Sequence, residues 1–193
     1  MYVWARLART LLSGSRRGAY RMGGESRLRF RCLPSDINSN LHLNNACYMM
    51  LADVGRIDIF NRSGMIKLAR AQGWAPMLGG LQSVFVREIK LWTRFELVST
   101  LETWAGTQVI GRHRFVLDGN VTAAIVMTTG GVYDLANRRF VPIQDLVDRL
   151  DAEVTPRPPS EAEEIFMSSH AGLRAIAKAE GGKPTLDKEK RAG

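Results

Sequence analysis

Between Asp36 and Tyr48 the chain gathers a carboxylate, an imidazole (His42), carboxamides (Asn38, Asn40, Asn44, Asn45) and a phenol in one short run. A carboxylate or a neutral imidazole can take a proton from water and make it a nucleophile. A carboxamide cannot accept a proton at neutral pH, although it can orient a water or hold a carbonyl oxygen. Where such a run opens a helix, the first backbone N–H groups lack intrahelical partners and carry the positive end of the dipole, which suits them to a developing oxyanion. Each residue also has a plainer use. Asp36, after Pro34-Ser35, can cap a turn, and Asn38 can serve as a turn residue. His42 can be a structural hydrogen-bonding group, and Asn44 or Asn45 is well placed as a helix N-cap. Tyr48 reads as core with its hydroxyl at a pocket edge.

The elements that must position this run follow from periodicity. Residues 27–33 alternate strictly, as a strand with one buried face does, and Pro34 ends them. From about Ala46 to Arg62 the spacing is helical, with Tyr48, Leu51, Ala52, Gly55 and Ile59 on one face and Asp53 placed to pair with Arg56. Met65 to Gln72 reads as a second, shorter helix stopped by Gly73. Strands are expected over about 77–92, 95–106, 108–118 and 121–134, with a bend or bulge at Gly79-Gly80 and a hairpin at Asp118-Gly119-Asn120. Residues 142–150 read as a closing helix, and 160–180 as a helix within a charged, proline-containing tail over 151–193. No internal repeat is visible. One strand, one long helix and an antiparallel run make an α+β plan in which the helix lies across the sheet, and Gly55 allows close approach.

Composition narrows the function classes. The 193 residues suit one domain with tails, and 45% hydrophobic with 24% charged residues is ordinary for a globular protein. The net charge of +8 is spread along the chain, without a basic run or a nucleic-acid motif, so no nucleic-acid partner is expected. A basic surface also suits a polyanionic small ligand. Cys32 and Cys47 make neither a disulfide framework nor metal-ligand spacing, which points to a reducing compartment and to no bound metal. No apolar run approaches the roughly 18 residues that span a bilayer. Residues 1–24 carry Arg6, Arg9, Arg16, Arg17 and Arg21 and no acid, with Val3, Trp4, Leu7, Leu11 and Leu12 near helical spacing. This segment is too interrupted for a secretory signal. It fits a mitochondrial-type presequence, a basic amphipathic helix touching a membrane or partner surface through residues 1–21, or a helix packed on the domain. A cytoplasmic or organelle-matrix location is the expectation.

The strand followed by Pro34-Ser35-Asp36-Ile37-Asn38-Ser39-Asn40-Leu41-His42-Leu43-Asn44-Asn45-Ala46-Cys47-Tyr48 resembles the hot-dog-fold acyl-CoA thioesterases, whose motif reads approximately D-x-D-x-x-G-H-V-N-N-x-x-Y. The Leu33-Pro34-Ser35-Asp36 segment is most similar to the THEM6-like, thioesterase-related branch. The resemblance covers residues 25–150. It implies a long central helix wrapped by a curved antiparallel sheet of about five strands. It also implies a homodimer or dimer of dimers with the site at the subunit interface, an acyl-CoA substrate and no cofactor. By the same resemblance Asp36, Asn38 and His42 are the catalytic candidates, and Asn44, Asn45, Ala46, Cys47 and Tyr48 the substrate-binding ones, with the N–H groups of residues 45–48 as oxyanion donors.

Two positions depart from that pattern. The family's second Asp falls on Asn38, and its Gly on Leu41. In extended geometry Asp36 would point to the same face as position 38, leaving Asp36 or His42 to activate water. The chain is therefore expected to hydrolyse an acyl- or aryl-CoA thioester, or to bind such a thioester without cleaving it because the usual base is missing.

Overall fold

The computed structural model describes residues 2–150, 154 and 156–181. The chain forms two compact units, one to Pro158 and one from Pro159. In the first, α1 (Tyr2–Leu12) precedes β1 (Ser26–Arg31), α2 (Asn45–Arg62) and α3 (Met65–Gln72). Then come β2 (Trp74–Phe85), β3 (Arg94–Ala105), β4 (Gln108–Leu117), β5 (Val121–Asp134), β6 (Arg139–Val141) and α4 (Ile143–Arg149). In the second unit α5 (Glu161–Glu180) opens with a capping box, the Ser160 N–H donating to Glu163 Oε2 at 2.7 Å. Met1 and, of the expected tail, residues 151–153, 155 and 182–193 lie outside the described residues. Among the described residues no helix is long and apolar enough to cross a membrane.

All strand pairs are antiparallel, in the order β1-β3-β4-β5-β2, with β6 added to β5. The sheet thus has six strands where about five were expected, because the three residues of β6 are too few to show a period. α2 buries Tyr48, Leu51, Ala52, Val54, Gly55 and Ile59. A Cβ on Gly55 would collide with Ser99 Oγ of β3, so its absence sets how closely the helix can lie on the sheet. This is the long helix on a curved antiparallel sheet of a hot-dog fold. The register of β2 against β5 shifts between Leu78 and Gly80, which places a bulge at the expected glycine pair.

The strand expected over 77–92 differs most. It begins earlier, at Trp74, and ends at Phe85. Pro76 is tolerated because β2 ends the sheet and one of its sides faces no other strand. The Val86 and Arg87 N–H groups still reach Ala123 O of β5, at 2.8 and 2.9 Å, and residues 89–92 then bond instead to the run before α2. Leu43 N–H donates to Ile89 O at 2.8 Å, and Leu91 N–H to Leu41 O at 3.2 Å.

α1 packs on the domain, Val3 and Leu7 lying against the core cluster that holds Leu51, Phe95 and Phe115. Asp58 of α2 is fully buried and takes Arg17 at 2.5 Å, Arg62 at 3.0 Å and the Ser26 hydroxyl at 2.6 Å. A buried carboxylate survives because all these donors answer it.

Candidate functional site

Pro34–Asp36 form a single 3-10 turn rather than extended chain. From that turn the Asp36 side chain meets Leu33 and Arg6, whereas the Asn38 side chain meets Asn40 and His42. Asp36 is 0% exposed. Its Oδ2 accepts the Leu33 N–H at 2.9 Å and the Arg6 guanidinium at 2.7 Å. Arg6 also donates to Arg31 O at 2.8 Å, so α1 clamps the turn to the end of β1. The turn-capping use of Asp36 is the one its bonds express.

After the turn the chain doubles back on itself. Ile37 bridges Leu43, the Asn38 N–H donates to His42 O at 3.0 Å, and the Leu41 N–H to Asn38 O at 3.1 Å. Closing so small a loop requires a left-handed residue, and Leu41 supplies it at φ 60°. The position where the thioesterase motif has Gly is thus a position whose backbone favours Gly. Leu41 is 62% exposed, so Leu41→Gly gives up little burial. The substitution is expected to stabilise the protein by roughly 0.5–1 kcal/mol, read as a higher urea midpoint at unchanged m-value. A lower midpoint would show that the loop carries no such strain.

Asn38 sits inside this loop. Its Oδ1 accepts the Asn40 N–H at 2.9 Å, which turns Nδ2 toward His42 Nδ1, 3.3 Å away. Nδ1 is then an acceptor and the imidazole proton resides on Nε2. Leu43 O, 3.4 Å from Nδ1, would favour the opposite tautomer. The Asn38 contact is shorter and is held by the Asn40 bond, so it decides. Nε2 points toward Glu88, 3.9 Å away.

Asn44 caps α2, its Oδ1 accepting the Ala46 N–H at 2.9 Å and its carbonyl the Cys47 N–H at 2.8 Å. These bonds narrow the expected oxyanion donors. Of residues 45–48, the Asn45 N–H is the one left without an intrahelical or capping partner among the described residues. Cys47 is buried with its thiol donating to Asp36 O at 3.4 Å. Tyr48 is buried edge-on between Phe85 and Phe115, with centroids 4.9 and 4.8 Å away, and burial pushes its phenol up to about 12. It is a neutral group at any working pH.

His42, Leu43, Asn45 and Tyr48 line one wall of a cleft of about 160 Å³, and Phe85 to Glu88 line the other. The geometry therefore brings together His42, Asn45 and Tyr48, with Asn38 behind His42. Asp36 and Cys47 lie beneath, and Ala46 is exposed on the first turn of α2. Phe85 and Glu88 join the site unforeseen. The signal for them was the change from Val84-Phe85-Val86 to Arg87-Glu88, where the apolar run stops. A larger groove of about 1200 Å³, between α1 and β1, is lined by arginines and holds none of the expected site residues.

The cleft lies where β2 leaves the sheet. β2 is a terminal strand that exposes Met77, Leu78, Leu81, Val84 and Phe85. A long apolar edge of this kind invites pairing with another strand.

Comparison with known proteins places these features. The family model for the Thioesterase-like superfamily matches residues 32–150. Protein THEM6 of Xenopus laevis is 30% identical over 97 residues, which is 50% of this chain and 47% of that protein. The match thus spans about half the length of that curated relative. Among solved structures the fold is similar to the probable thioesterase YbaW of Escherichia coli, at TM-score 0.61 and 18% identity over 67% of this chain and 98% of that one. It is similar too to Slr0204 of Synechocystis, a 1,4-dihydroxy-2-naphthoyl-CoA thioesterase, at TM-score 0.58 and 9% identity over 68% and 98%. SAV2348 of Staphylococcus aureus, solved in complex with CoA, aligns at TM-score 0.57 and 11% identity over 74% and 94%.

Proposed function

Since the chain belongs to the Thioesterase-like superfamily, we propose that it is a slow acyl-CoA thioester hydrolase, acting on an acyl- or aryl-CoA at a site completed across a homodimer interface. The observation that carries this reading is the His42–Asn45–Tyr48 cleft at the start of α2. There an N–H left open by the helix and an Nε2–H of His42 both stand ready to donate to a thioester carbonyl oxygen. Attack of water on that carbonyl, with one water proton passing to solvent, would make an oxyanion, and collapse would break the C–S bond to release the acid and the CoA thiolate, which takes a proton back from solvent.

The cleft of one chain, about 160 Å³, falls below the roughly 300–1,000 Å³ of small-molecule sites. A second copy paired along β2 would both cover the exposed apolar edge and enlarge the site. CoA is a polyanion, which the net charge of +8 would attract. The buried free thiols of Cys32 and Cys47 fit a reducing compartment, cytoplasmic or organellar. On α1, exposed Trp4 and Leu12 beside Arg9 and Arg16 would suit residues 1–21 to an anionic membrane surface.

A second reading has its own support. With Asn38 in place of a carboxylate, His42 protonated on Nε2 and Asp36 buried against Arg6, the site holds donors for a carbonyl, and the one carboxylate lining the cleft, Glu88, stands 3.9 Å from that Nε2. A protein built this way binds acyl thioesters without turning them over.

Free-thiol release from a panel of acyl- and aryl-CoAs separates the two, run on wild type, Asp36→Ala and His42→Ala. Slow release that falls further in His42→Ala supports hydrolysis. CoA-ester binding without release selects the binder. Full activity indifferent to both substitutions would remove His42 and Asp36 from the reaction, and a monomer by light scattering would remove the interface site.

A further inference from the structure

A second cavity, of about 370 Å³, lies between the latter half of α2, α3, α4 and the concave side of β4 and β5. That volume falls within the range of small-ligand sites, roughly 300–1,000 Å³. Phe60, Met65, Ile66, Leu101 and Leu146 give it apolar walls, and no acidic residue lines it. One charged side chain enters. Arg56 spends Nη2 on Asp53 Oδ1 at 2.7 Å, and that acid is 50% exposed. Arg56 Nη1 is buried and has no partner among the described residues. A guanidinium N–H removed from water and left unmet costs free energy that a ligand acceptor would recover.

The opposite wall is opened by a missing side chain. A Cβ on Gly111 would stand 2.8 Å from Thr128 Oγ1 and 3.5 Å from His113 Nε2, so glycine leaves the Thr128 hydroxyl uncovered. That hydroxyl reaches Gly111 O and His113 Nε2 only at 3.4 Å each, beyond good hydrogen-bond length. Burial holds His113 neutral, so it adds no second positive charge beside Arg56. The cavity thus offers an apolar volume, one cationic donor, the weakly engaged Thr128 hydroxyl and, from Thr129, a buried hydroxyl with no partner among the described residues.

We propose that this cavity binds an alkyl chain ending in a carboxylate, whose oxygens accept from Arg56 Nη1 and Thr128 Oγ1. Such a group has two sources, a free fatty acid or the far end of an ω-carboxyacyl thioester. For its supply the inference rests on the acyl-thioester reading above, but the binding itself does not require turnover.

Calorimetric titration of the full chain tests it. Wild type is expected to bind decanoate about tenfold more tightly than 1-decanol, the difference a charged hydrogen bond makes. Arg56→Gln should remove that preference, bringing decanoate to the affinity of decanol, while Arg56→Lys keeps part of it. Comparing decanedioyl-CoA with decanoyl-CoA distinguishes the sources: tighter binding of the former, lost in Arg56→Gln, assigns the thioester, and equal binding assigns the free acid. Because the wild-type comparison needs no variant, a misfolded Arg56→Gln does not rescue the idea. Equal affinity for decanoate and decanol, binding of neither, or decanoate affinity unmoved in a folded Arg56→Gln overturns it. Decanoate binding together with no thiol release from any acyl-CoA counts against the hydrolase reading alone.

Discussion

Replacing Asn38 with aspartate is expected to raise acyl-CoA hydrolysis by on the order of 10²-fold, the lower part of what a positioned base supplies. The reason is the loop geometry. Asn38 Oδ1 is already tied to the Asn40 N–H, and the other side-chain terminus faces His42 Nδ1 at 3.3 Å. An aspartate there keeps the first bond and turns its second oxygen into an acceptor from His42. The imidazole must then carry its proton on Nδ1, which frees the Nε2 lone pair toward the cleft. One amide-to-carboxylate exchange would thus convert His42 from a donor into a base oriented by a carboxylate. The check is initial-rate thiol release at equal protein concentration. An Asn38→Asp protein that folds, dimerises and binds CoA esters but hydrolyses no faster than wild type would show that the missing carboxylate is not what limits this site.

Acid is expected to destabilise the protein steeply through His113. The ring is 0% exposed, its Nδ1 2.9 Å from Ser99 Oγ and its Nε2 3.4 Å from Thr128 Oγ1. Burial first, and the Arg56 charge second, push its pKa down from an ordinary 6.5 to about 3. The unfolded chain therefore binds a proton that the folded chain refuses. Stability from this group is complete above about 6.5 and drains away as pH falls toward 3, on the order of 4 kcal/mol in all. Urea midpoints across that window should fall more steeply for wild type than for His113→Asn, which has no imidazole to charge. Parallel curves for the two proteins would exclude His113 as the source.

How far these features could be read in advance depended on how local their causes are. Helix α2 and its Asn44 cap, strand β5, the bulge at Leu78 to Gly80 and the Asp53–Arg56 pair depend on neighbours within a few residues, and the structure has them as expected. The departure of residues 89–92 from the sheet depends on bonds to the loop before α2, more than forty residues earlier in the chain, and no period records it. His113 had no assignable role because Ser99 and Thr128 meet it only through sheet register. Asp36 has a non-local bond too, to Arg6. Its spacing from Asn38 suggested a shared face, whereas its conformation is decided by a 3-10 turn and an arginine thirty positions upstream.

That last pairing bears on what the first residues of the chain are for. A targeting peptide is dispensable after delivery, and its removal costs the mature protein nothing. Here removal would strip Arg6 from the buried Asp36, and would take one of two arginines from Asp58, which keeps Arg62 at 3.0 Å and the Ser26 hydroxyl at 2.6 Å. The loss at Asp36 is on the scale of 3–5 kcal/mol, a large share of the stability of an ordinary domain. The arginine-rich beginning therefore works as an internal counterion set, and a form lacking it would have to fold without the charges that let the turn before the cleft close.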